Sequence, residues 1–139
     1  MNPKPKGVPG SYFVGLGIFS EPLTVVDDKR DGFQGGFPIA FEIVDNVILS
    51  ENRPLNIRCE YVILLNGELR LGEGHYYLSE RAEQVLNAGT MGIENGRIIH
   101  LDNWSGHYQP DKVDVINAKN FFEQNQLTDD IFVTFIPFK

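Results

Sequence analysis

Two stretches decide the fold. They are Glu60-Tyr61-Val62-Ile63-Leu64-Leu65-Asn66-Gly67-Glu68-Leu69-Arg70-Leu71 and Thr90-Met91-Gly92-Ile93-Glu94-Asn95-Gly96-Arg97-Ile98-Ile99-His100-Leu101. Each is a run rich in apolar residues, then Asn-Gly, then a second such run. Asn-Gly supplies the positive φ angles of a type I′ turn, whose twist matches that of the flanking strands. Both stretches therefore read as β-hairpins.

Between them, Ser79 can cap a helix over 80–87 closed by Gly89, with Glu80 and Glu83 near its positive end. A second helix follows Pro110, with Asp111 as N-cap and Asp114 three residues on; Val113, Ile116, Phe121 and Phe122 offer its buried stripe. Ile131 to Phe138 is a final strand, apolar at nearly every position, as expected if both of its faces are covered. At a sheet edge it would instead be able to pair with a second copy, giving a homodimer.

Towards the N-terminus, Ser50 to Pro54 is a polar connection, and Phe37 to Leu49 is one long strand or two short ones. Asp27 to Gly32 is a solvated turn, continued as loop by Gly35-Gly36. Tyr12 to Phe19 reads as a strand in which Gly15 and Gly17 mark a bulge. Residues 1–10 read as a flexible tail and residues 11–139 as a single α+β domain, a mostly antiparallel sheet with two helices.

The bulk numbers agree. A chain of 139 residues suits one domain. Ten Phe, five Tyr and one Trp, with fourteen Gly and eight Pro, favour strands and turns over a helical bundle. Twelve Lys plus Arg against nineteen Asp plus Glu give a net charge of −7, which opposes nucleic acid and anionic membranes as partners. The same charge serves plain solubility, or an acidic face that covers a basic protein. Cys59 is the only cysteine and lies in the apolar run Ile57 to Leu65, where a buried, inert thiol is the default. No segment approaches the ~18 apolar residues of a membrane span. The basic start is interrupted by Pro9, Gly10, Gly15 and Gly17 before it can make a signal peptide. The reading is a cytoplasmic protein, with export lacking a cleaved signal left open.

The chemistry concentrates in Asp102-Asn103-Trp104-Ser105-Gly106-His107-Tyr108-Gln109-Pro110, a loop bearing an acid, a hydroxyl, an imidazole and a phenol. Trp104, Ser105, His107 and Tyr108 are candidate binding residues, joined by His75 of the His75-Tyr76-Tyr77 segment. Two imidazoles and several phenols in one cleft can stack on a planar ligand and exchange protons near neutral pH. Asp102, Ser105 and His107 contain the residue types of a hydrolytic triad, but neighbours in one loop do not line up as a relay. His75, His100, His107 and Asp102 match no zinc spacing, and alternation along its strand can turn His100 away, so no metal is expected. Gly15-Leu16-Gly17-Ile18-Phe19-Ser20 lacks the third glycine and the helix of a dinucleotide fingerprint, and no cofactor is expected. Read as architecture alone, Ser105 and Gly106 make a turn, Tyr108 packs against the following helix, and His107 satisfies a carbonyl.

From Tyr61 to about Phe122 the order of features resembles a known module. The first hairpin, His75, Ala88-Gly89, the second hairpin and Ser105-Gly106-His107-Tyr108-Gln109-Pro110 follow one another. Such a module, with its Ser-Gly-His-Tyr-x-Pro motif, is found at the ends of some bacterial polymorphic (Rhs-type) toxins and in plant IQ-motif calmodulin-binding proteins. The resemblance implies His75, Ser105, Gly106, His107, Tyr108 and Pro110 as its marked positions. Tyr76-Tyr77 stands where the pattern has two serines, and no IQ motif is present. The functional expectation is a non-catalytic binding module for a protein or small molecule, associated with a toxin system. The alternatives are a small transferase or hydrolase for a nucleotide-like ligand, and an acidic immunity-type protein.

Overall fold

The computed structural model describes residues 5–26 and 35–138. Among these, in chain order, are β1 (Leu23–Thr24), β2 (Phe37–Ile39), β3 (Glu42–Val44), β4 (Val47–Ser50), β5 (Arg53–Pro54), β6 (Ile57–Ile63) and β7 (Leu69–Glu73). Then come α1 (His75–Leu78), β8 (Gln84–Val85), β9 (Asn87–Glu94), β10 (Arg97–Asp102), α2 (Lys112–Gln124) and β11 (Thr128–Val133). The fold is α+β and mostly antiparallel. Six strands form the main sheet in the order β11-β10-β9-β6-β7-β2; β3-β4-β5 and β1-β8 form two small sheets. Only β10 and β11 run parallel among the paired strands described, because α2 carries the chain back along the sheet between them.

Both predicted hairpins are present, with different turns. Asn95 and Gly96 have φ of 51° and 76°, the two left-handed residues of a type I′ turn. A Cβ on Gly96 would lie 2.4 Å from the Val47 side chain. At the first hairpin only Gly67 is left-handed, with φ of 86°. Its N–H donates to the Leu64 carbonyl at 2.8 Å, and the Leu64 N–H donates to that of Glu68 at 2.9 Å, so the loop is longer than two residues. The Asn66 side chain accepts from the Glu68 N–H at 2.9 Å, a local bond that fixes this wider turn. Asp45-Asn46 (φ 50° and 63°) and Glu51-Asn52 (φ 53° and 64°) also make left-handed turns without any glycine. They cut the 37–54 segment into short strands.

Several expectations are corrected. No helix spans 80–87: Glu80 and Arg81 are both left-handed (φ 56° and 63°), which ends α1 and sends the chain into β8 and β9. Helix-forming side chains are overridden there by burial of Val85 and Ala88 and by the long pairing of β9 with β6. The first helix is instead the single turn α1, with Ser79 at its C-terminal end. Tyr12 to Phe19 is not a strand but two short 3₁₀ turns, Gly10–Tyr12 and Leu16–Ile18. The expected flexible tail is packed where it is described: Val8 is buried and exchanges backbone hydrogen bonds with Leu69 at 3.0 and 2.9 Å. The turn expected at Asp27 to Gly32 lies outside the described residues.

The N-terminus of α2 is as expected, with the Asp111 N–H donating to Asp114 Oδ2 at 2.7 Å. Phe121 and Phe122 are buried as predicted, but Val115 and Ala118 complete the stripe in place of Val113 and Ile116, which are exposed. The last strand runs Thr128–Val133 rather than Ile131 to Phe138, and it lies at the sheet edge, where Phe132 is 56% exposed, so its two faces are not both covered.

The sheet separates two environments. Cys59, Tyr61 and Ile63 of β6 join Met91, Ile93, Ile98 and Leu101 in the main core beneath α2. Val62, one step out of phase, lies on the opposite face with Ala88, Leu78, Val85 and Tyr108. A bulge between Ile98 and His100 in β10 lets Ile98 and Leu101 both face α2. It also aligns His100 with Gly92 and Asp102 with Thr90.

Candidate functional site

Arg58, Glu60 and Val62 share the sheet face opposite α2, and the ladder sets Glu60 opposite both Thr90 of β9 and Gly72 of β7. Asp102 follows beyond Thr90. Charged side chains at alternate positions of an otherwise apolar strand thus fall in one patch. That patch is a pocket of about 180 Å³ lined by Arg58, Cys59, Glu60, Glu73, Thr90 and Trp104.

His75 buttresses it from α1. Its Nε2 lies 2.7 Å from the Gly89 carbonyl, which can only accept, so Nε2 carries a hydrogen. Its Nδ1 lies 3.0 Å from Glu60 Oε1. Burial pushes the imidazole down to about 4, so near neutral pH it holds that one hydrogen only. With its one hydrogen on Nε2, the ring meets Glu60 through Nδ1 as a neutral imidazole rather than as the cation of an ion pair. Burial also raises the Glu60 carboxyl above its ordinary range. Glu73 hydrogen-bonds Glu60, and its carboxyl is raised by partial burial and by the Glu60 charge. The Gly74 N–H donates to Glu60 Oε1 at 3.0 Å. Gly74 itself has φ of 87°, a conformation that glycine adopts without strain and that swings His75 under the sheet.

At the other end, Arg58 Nη2 bonds Asp102 Oδ2 at 2.8 Å, and its Nη1 lies 3.3 Å from His100 Nδ1. The Asp102 carboxylate is buried and also accepts from the Trp104 N–H at 2.9 Å, which fixes where the indole leaves the sheet. The Arg58 side chain is 61% exposed and keeps donors facing the solvent. Between the two ends lies Thr90, only 6% exposed, whose hydroxyl has no hydrogen-bond partner.

The predicted site residues divide. Trp104 is exposed, lines the pocket and stacks on Phe138 with centroids 5.9 Å apart. His75 is buried beneath it. Ser105 is fully buried and caps the Tyr108 N–H through Oγ at 3.2 Å. Tyr108 is buried in the small core rather than against α2; its hydroxyl donates to the Ala82 carbonyl at 2.6 Å and lies 2.9 Å from Ser79 Oγ. His107 stacks on Tyr76, 4.8 Å apart with planes 6° from parallel, and its buried Nε2 has no partner. His100 is not turned away from the site face but is engaged by Arg58 and by Thr134 Oγ1 at 2.8 Å. Among the described residues no three His, Cys, Asp or Glu side chains converge as a metal site. Cys59 is buried, and its thiol is pushed up to about 12, chiefly by burial, so it is unreactive at neutral pH.

Sequence reasoning missed Arg58, Glu60, Glu73 and Thr90. The signal present was the alternation Arg58-Cys59-Glu60-Tyr61, charged against apolar. What brings Thr90 to Glu60 is the pairing of β6 with β9, across a separation that no local pattern specifies.

No protein-family model, curated protein or solved structure matches this chain. No helix among the described residues is long and apolar enough to cross a membrane.

Proposed function

We propose that this chain is a non-catalytic binding module whose recognition site is the pocket under Trp104. One observation carries the reading: Thr90, whose hydroxyl is buried and unpartnered, lines a pocket walled by charged groups and an exposed indole. A buried polar group without a partner costs free energy, roughly 1–3 kcal/mol, which a bound ligand recovers. Against catalysis by the motif, His75, Ser105 and Tyr108 are buried and spend their polar atoms on the fold.

Trp104 is the only tryptophan, so its fluorescence reports on the pocket alone. A panel of amino acids, amines, carboxylates, sugars and nucleotides, titrated while ligand NMR watches for turnover, tests the reading. A saturable change with the ligand left intact is the expected result. Consumption of the ligand would make the protein an enzyme, and silence across the panel would remove the pocket as a site.

The enzyme reading, a small transferase or hydrolase for a nucleotide-like ligand, draws on one feature: the unpartnered Nε2 of His107 beside Tyr76. It predicts that His107→Ala abolishes turnover of such a ligand. On the resemblance of residues 61–122 we further propose that the module serves a cytoplasmic bacterial toxin system. A toxin polypeptide retained by the wild-type chain and released by Trp104→Ala would support this link; retention by neither removes it.

A further inference from the structure

We infer that the pocket under Trp104 takes the zwitterionic head of a free amino acid, an inference that rests on the pocket being a binding site. The volume, about 180 Å³, falls below the ~300–1,000 Å³ typical of pockets for drug-sized ligands, which suits a small head group. The polar groups are sorted by charge. Glu60 hydrogen-bonds Glu73 of β7, whereas Arg58 reaches the other way to Asp102 of β10. Two hydrogen-bonded carboxyls share a proton, so the pair presents about one negative charge, the complement of one ammonium.

Arg58 speaks against a simple amine. Its guanidinium is partly neutralised by Asp102, yet it keeps exposed donors at the pocket rim. A lone cation would be repelled there, whereas a carboxylate would be held by those donors. Arg58 and Glu60 lie two positions apart on one strand face, about 7 Å along the chain. That spacing accommodates an ammonium and a carboxylate borne by one carbon, each with its hydrogen bonds. Thr90 sits opposite Glu60, where its hydroxyl completes the shell of the ammonium or of one carboxylate oxygen. Trp104 then covers the α-carbon, and its π face adds attraction for the ammonium. Only the head group is so specified; the side chain of the ligand projects past the indole.

Calorimetry on the full chain tests this with the twenty protein amino acids, ethylamine as an amine without a carboxylate, and propionate as an acid without an amine. At least one amino acid is expected to bind one to one, ten-fold or more tighter than ethylamine or propionate. Thr90→Val, which keeps the shape, should weaken it ten-fold, and Thr90→Ser should restore it. Glu73→Gln and Arg58→Met should each weaken it, with the thermal midpoint measured alongside to show that each variant is folded. Ethylamine binding as tightly as every amino acid, wild-type affinity in folded Thr90→Val, or no amino acid binding at all would overturn the inference. Should a sugar or carboxylate from the wider panel then move Trp104, the pocket would stand as a site and the zwitterion alone would fall.

Discussion

His75 Nδ1 lies 3.0 Å from Glu60 Oε1 while His75 Nε2 is held 2.7 Å from the Gly89 carbonyl, so the imidazole is a strut between the sheet and α1. Its two nitrogens face two oxygens with a single proton on the ring. This contact joins stability to pH.

The sign follows from where the protons bind. His75 is depressed from 6.5 to about 4 in the folded chain, so between these values the unfolded chain holds more protons. The His75 contribution is present above about 6.5 and is lost as pH falls through 4, on the order of 3 kcal/mol in full. Glu60, raised by burial, acts with the opposite sign and offsets part of the loss. Urea unfolding at pH 7 and pH 4.5 should show His75→Gln losing less stability on acidification than wild type, and Glu60→Gln losing more. Equal losses in all three would contradict the lowered His75 and the raised Glu60.

Tyr108→Phe removes a hydroxyl bonded to the Ala82 carbonyl and Ser79. The expected cost is about 1–3 kcal/mol by urea unfolding, since buried partners are left unsatisfied. The Trp104 response to ligand should be unchanged, because Tyr108 does not line the pocket. A lost response at full stability would return the phenol to the site.

Asn103 ties two segments together. Its Nδ2 donates to the carbonyls of Pro110 and Ile136 at 2.8 and 2.7 Å, and its Oδ1 accepts from the Ile136 N–H at 2.7 Å. Asn103→Ala should cost roughly 2–4 kcal/mol and speed hydrogen exchange at Ile136. Unchanged exchange there would mean the C-terminal segment is held by other contacts.

Gly96→Ala puts a Cβ on a left-handed residue and against Val47. A loss of about 1–3 kcal/mol is expected from the strain of the turn. Asn66→Ala, at a residue that is not left-handed, should cost less. Equal losses would show that the left-handed conformation of Gly96 adds no extra cost.

This contrast marks what local pattern can and cannot carry. Asn-Gly identified both hairpins, and Asp111 with Asp114 identified the start of α2, because turns and caps are decided by a few neighbouring residues. The 80–87 segment has helix-forming side chains and still pairs in strands, because Val85 and Ala88 are buried against distant partners. The site follows the same division. Trp104 was visible as an aromatic on a Gly- and Pro-punctuated loop, whereas Thr90 is an ordinary strand residue until β6 pairs with β9. The bulge at Ile99 likewise breaks strict alternation and sets Asp102 beside Thr90.

The most direct measurement is the NMR shift of the Thr90 amide and methyl group, with the Trp104 indole N–H, as a mixture of the twenty amino acids is added. The account predicts that the Thr90 and Trp104 signals move together and saturate while the His107 ring signals stay in place. Thr90 signals that do not move, or that move only in company with His107, would contradict it.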